Sequence, residues 1–105
     1  MIIQLNTDAS INGTEALAAE VQTVVGGALE TFSRHITRVE VHLSDTNSGA
    51  KGGPSDMRCL LEARPAGHQP VAVSHHAATI AEAVGGAADK LKRALDSLLG
   101  RLARK

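Results

Sequence analysis

The sequence predicts an α+β domain whose elements follow the order β-α-β-β-β-α, with the sheet buried on one side only. Three observations carry that expectation. Thr37 to Ser44 (TRVEVHLS) alternates, with Val39, Val41 and Leu43 facing one way and Arg38, Glu40 and His42 the other. A strand of that kind suits an antiparallel or mixed sheet. Two longer segments instead repeat their apolar residues at three- and four-residue steps, the period of a helix resting on a core. Loop and turn chemistry falls between the runs, at Asn12-Gly13, Asp45–Ser55 and Pro65–His68.

The elements follow in order. Residues 2–6 (IIQLN) form a first strand. Asn12 and Thr14 both offer an N-cap, and Asn12 with Glu15 has capping-box spacing. Leu17, Val21, Val24, Val25, Ala28, Leu29 and Phe32 then make one stripe, which predicts a helix over about residues 14–34. Met57 to Arg64 is a second alternating strand, with Cys59, Leu61 and Ala63 inward and Arg58, Glu62 and Arg64 outward; Leu60 breaks the pattern. Pro65–His68 turns the chain into a returning strand over 70–74. Thr79 and Glu82 form a capping box at the head of a last helix, residues 79–105. Glycine pairs inside both helices, Gly26-Gly27 and Gly85-Gly86, project away from the core and have no assigned reason.

Composition narrows the function. A chain of 105 residues with 43% apolar content supports one folded domain, taken as residues 1–105. Phe32 is the sole aromatic residue, so recognition of single-stranded RNA by stacking on sheet aromatics is excluded. No apolar run reaches membrane-spanning length, and the N-terminus lacks the cationic start of a secretory signal. The single cysteine, Cys59, rules out an internal disulfide and fits a reducing cytoplasm; it reads as a small core residue. No spacing suggests a nucleophile, a phosphate loop or a cofactor site. His75-His76 would point to opposite sides of an extended chain and so could not readily share a metal, whereas protonation of the five histidines would add positive charge in acid.

The last helix carries the main functional candidate. Ile80, Val84, Ala87, Leu91, Leu95, Leu98 and Leu102 share its core side. Lys90, Arg93, Arg101 and Arg104 fall within about 80° of one another, centred roughly 120° from that side. Cations so placed brace their stems on the core edge and hold their charge in water. They read either as a solvated face, with lateral pairs such as Asp89 to Arg93, or as contacts to a polyanion. Arg38, Arg58 and Arg64, with His42, lie on the polar side of the sheet beside Glu40 and Glu62, and carry the same two readings. With 11 basic and 11 acidic residues the formal net charge is zero, so any polyanion binding depends on where the charge sits.

The details resemble the ribosome hibernation-promoting factors, also called ribosome-associated inhibitor A, protein Y or sigma-54 modulation proteins. The likeness runs through the Pro65–Gly67 turn, Val71-Ala72-Val73-Ser74, Thr79 and Asp89-Lys90-Leu91-x-Arg93-x-Leu95. Thr14, Leu17, Leu29, Phe32 and Ile36 match more loosely. The resemblance implies a four-stranded sheet with two helices packed on one face, akin to double-stranded RNA-binding domains. It implies a short-form, non-enzymatic protein without the C-terminal dimerisation domain, acting in stress on the small ribosomal subunit. There it would bind ribosomal RNA in the channel of mRNA and tRNA, silencing translation. Lys90, Arg93, Arg101 and Arg104 would grip phosphates, with Arg38, Arg58 and Arg64 as secondary contacts. The chain departs from the family where the first helix is usually basic: Val25, Ala28 and Thr31 are neutral here. That departure favours a second reading, a protein-interaction module of the same fold that has lost the ribosome. Weak self-association is left open.

Overall fold

A computed structural model describes residues 1–46 and 56–103, with side chains through residue 100. Arg104 and residues 47–55 of the expected loop lie outside the described residues, as does the Arg101 side chain. The elements are β1 (Ile2–Thr7), α1 (Glu15–Ala28), β2 (Ile36–Asp45), β3 (Met57–Pro65), β4 (Val71–Ala77) and α2 (Ile80–Ala103). The order is the expected β-α-β-β-β-α. The strands lie as β1-β2-β3-β4 in one mixed sheet. β1 runs parallel to β2, because α1 provides the crossover that parallel pairing requires; the other neighbours are antiparallel.

One face of the sheet and one side of each helix make a single core. Val39, Val41, Leu43, Cys59, Leu61 and Ala63 from the sheet are at most 2% exposed and meet Val21, Val25, Leu29, Val84, Ala87, Ala88, Leu91 and Leu95. Among the described residues no polar or charged side chain is buried with them. The opposite face carries Gln4, Asn6, Arg38, Glu40, His42, Arg58, Leu60, Glu62, Arg64, Ser74 and His76. It has no helix over it, and Ile2 at its corner is 63% exposed.

The ends of the elements have local causes. Thr14 is the N-cap of α1, its hydroxyl accepting from the Leu17 amide at 3.1 Å. At the head of α2 the Glu82 amide donates to the Thr79 hydroxyl, which donates in turn to the Glu82 carboxylate at 2.9 Å. Gly67 takes φ +76° at the third position of the β3–β4 turn, where a type II turn requires it, and the His68 amide closes the turn on the Pro65 carbonyl. Asp8 accepts from the Ser10 and Asp45 amides and so ties the end of β1 to the end of β2.

Two boundaries differ from the sequence reading. The first helix does not reach residue 34. It ends at Ala28, and Glu30–Phe32 form a 3₁₀ turn whose amides bond three residues back. The preceding glycine pair weakens the helix, and the tighter turn lets fully buried Leu29 keep its place while the chain swings into β2. The fourth strand continues past residue 74 to Ala77 and includes both histidines of the pair. His75 pairs with Cys59 and faces the helices; His76 pairs with Arg58 and faces outward.

Candidate nucleic-acid interface

Lys90 and Arg93 lie along the flank of α2 that overhangs β4. Gly86, on that flank, sits against the His75 ring, and Lys90, one turn later, donates from Nζ to the Ser74 carbonyl of β4 at 2.9 Å. Arg93 follows on the same flank, exposed. No ion pair joins Arg93 to Asp89, so the lateral pairing open to the sequence is not formed. Lys90 is partly committed to the backbone, which the sequence did not reveal, because the partner carbonyl lies 16 residues away. Arg101 continues the flank by helical spacing. Lys92, also exposed, is about 200° around the helix from Lys90 and belongs to the other side.

Arg38, Arg58 and Arg64 all come to the open face of the sheet, at its two ends. Ile2, Arg38 and Arg64 are cross-strand neighbours, as are Gln4, Glu40, Glu62 and Ala72 in the next row. The two glutamates therefore sit beside the first two arginines. Arg64 reaches Glu62 at 3.3 Å and Glu40 at 3.6 Å, and Arg38 reaches Glu40 at 3.9 Å. The Nε of Arg38 is covered and has no hydrogen-bond partner. Arg58 lies two rows away, across from His76, and among the described residues it has no ion-pair partner.

The exposed surface of α1 offers no positive charge to a polyanion. The helix contains Glu15 and Glu20 and no lysine or arginine. Val25, matched in the sequence to a basic family position, is fully buried, so the surface of its second half is Gln22, Thr23, Val24 and Gly27. Arg34 is exposed beyond the end of the helix. Between the helices, Glu20 and the apolar Leu17, Val21, Val24, Ile80 and Val84 line a small groove. The described residues contain no cluster of three or more acidic, histidine or cysteine side chains placed to hold a metal. No helix among them is long and apolar enough to cross a membrane. Burial pushes the Cys59 thiol up from 9.0 to about 12.

Together these features define a two-layer α+β domain with helices on one sheet face and cations gathered on the rim at β4. By its sequence profile over residues 6–103, the chain belongs to the family of sigma 54 modulation protein / S30EA ribosomal protein, a ribosome-associated family. Solved structures share the fold. The N-terminal domain of Thermus thermophilus protein Y superposes with a TM-score of 0.75 at 17% identity, covering 93% of this chain and 99% of that one. A ribosomal subunit interface protein from Coxiella burnetii gives 0.78 at 11% identity, covering 95% and 99%. No curated protein matches the chain in sequence.

Proposed function

We propose that this protein binds the small ribosomal subunit through ribosomal RNA, occupies the channel of mRNA and tRNA, and holds idle ribosomes inactive under stress. The observation that carries the reading is the basic flank of α2 in a chain of this family: Lys90 and Arg93 are exposed, have no ion-pair partner among the described residues, and fall in one row with Arg101 by helical spacing. Lysine and arginine on a helix flank meet phosphates without reading bases, which suits occupation of a structured RNA channel. Of the sheet arginines, Arg38 and Arg64 have part of their charge answered by Glu40 and Glu62 and would add little.

Sedimentation through a sucrose gradient tests the reading. Co-migration with small subunits that weakens steeply with salt is the expected result, since each phosphate contact releases a counterion. Arg93→Glu with Arg101→Glu should abolish co-migration. Lys90→Glu is made separately because it also breaks the bond to the Ser74 carbonyl. The cation-free surface of α1 and the zero net charge favour the rival, an interaction module that has left the ribosome. Absence of co-migration at low salt would select it.

A further inference from the structure

We propose that Arg58, His76 and His42 form an RNA-phosphate site on the open sheet face, continuous around the edge strand β4 with the basic flank of α2. The site rests on the ribosomal reading above and adds a second, acid-strengthened grip to it.

The argument starts from unequal ends of one face. At the Arg38–Arg64 end the glutamates are within ion-pair distance. At the other end Arg58 faces His76 across the β3–β4 ladder, and His42 pairs with Leu60 one row before it. Directly opposed side chains stand about 5 Å apart at Cβ and diagonal ones about 7–8 Å, so Arg58 has His76 as its direct neighbour and His42 as its diagonal one. The nearest acid along the chain, Asp56, turns its carboxylate to the Thr46 hydroxyl at 2.9 Å. His42 and His76 are exposed and Arg58 half-exposed, so their donors reach solvent.

Position favours a polymer as ligand. β4 is the edge of the sheet, with His76 on its outer face and Lys90 anchored to Ser74 from the helix side. A single phosphodiester strand crossing this rim would meet both sets of cations. The open face carries no Phe, Tyr or Trp to stack a base, and its cations suit the phosphate backbone.

Acid should strengthen the grip. The strands place three arginines against two glutamates on this face, and Asp56 just before β3 adds a third acid, a balance of 0 that protonation of His42 and His76 makes +2. His42 is faced by Asn6 from β1, by Glu40 and Ser44 along β2, and by Leu60, Arg58 and Glu62 from β3. His76 is faced by Arg58 and Leu60 from β3, by Asp56 just before that strand, and by Ser74 on β4.

The test measures binding to purified small subunits against salt at pH 6 and pH 8. A histidine recruited to a phosphate adds roughly 0.7–0.9 to the slope of log affinity on log salt, so the slope should steepen at pH 6. His42→Gln with His76→Gln should remove the difference between the two pH values. Arg58→Ala should flatten the slope at both, and Arg64→Ala should leave it unchanged. Equal slopes at both pH values, or equal losses from Arg58→Ala and Arg64→Ala, would overturn the site while leaving subunit binding intact. Failure of the wild type to bind at either pH would instead overturn the ribosomal reading, and the site with it. These side chains lie outside the core, and thermal unfolding of each variant checks that the fold is kept.

Discussion

Gly86 and His75 form a contact that permits only hydrogen on the helix side. A Cβ built on Gly86 would overlap the imidazole from its Cγ outward, so the ring would have to leave its place between β4 and α2. Gly85, its neighbour, faces open space. Gly85→Ala should therefore raise stability by about 0.5–1 kcal/mol, as alanine does in a helix interior. Gly86→Ala should lower it by about 1–2 kcal/mol, with overpacking outweighing the same propensity gain. In a His75→Ala background Gly86→Ala should turn stabilising; thermal unfolding of the four variants measures the cycle, and two glycines behaving alike would refute the contact. Cys59 gives a second residue-scale test. Its folded pKa of about 12 lies above the ordinary 9.0, so the thiol stays neutral at physiological pH. The stability tied to this group is fully present below pH 9 and lost as pH rises toward 12. Labelling by a thiolate-specific reagent at pH 8 should proceed only at the rate of unfolding, and rapid labelling of the native protein would contradict its burial.

At the scale of elements, what could be read in the sequence was whatever depends on local period. Val39, Val41 and Leu43 announced β2, and Cys59, Leu61 and Ala63 announced β3, because one-sided burial prints an alternation. The end of α1 was hidden, since Leu29 and Phe32 keep helical spacing while the chain is already in a 3₁₀ turn. The extension of β4 was hidden too: His75 faces the helix layer only because Gly86 makes room for it, a contact between distant segments. The basic stripe of α2 was legible from spacing, but the hold of Lys90 on Ser74 and the glutamates beside Arg38 and Arg64 depend on strand register. The helix caps were legible and can be weighed. Thr14→Ala should cost about 1 kcal/mol, and Thr79→Ala at least as much because its hydroxyl engages both the amide and the carboxylate of Glu82. Chemical denaturation reads both, and no loss from either would deny the caps their role.

Across the whole molecule the zero net charge conceals a polarity. α1 contributes Glu15 and Glu20 and no cation, whereas one flank of α2, beside its acids Glu82, Asp89 and Asp96, and the rim of β4 contribute lysine, arginine and histidine. Such a distribution steers one side of the protein toward a polyanion and leaves the other indifferent. A cation added to α1 tests whether that indifferent side also lies near RNA. If it does, Gln22→Lys, at an exposed position, should steepen the salt dependence of subunit binding by about 0.7–0.9. An unchanged slope would place α1 away from the ribosomal surface.

The bond from Lys90 to Ser74 also bears on how copies of this protein avoid one another. β4 ends the sheet, and the outward backbone groups of an end strand are a template on which another chain can add a strand. Lys90 occupies one of those carbonyls in mid-strand and holds an ammonium where an incoming strand would have to lie. Removing it by Lys90→Ala should leave the fold intact and increase association with concentration, measurable by sedimentation velocity. The cation proposed to meet RNA would then also act as a guard against sheet-to-sheet polymerisation.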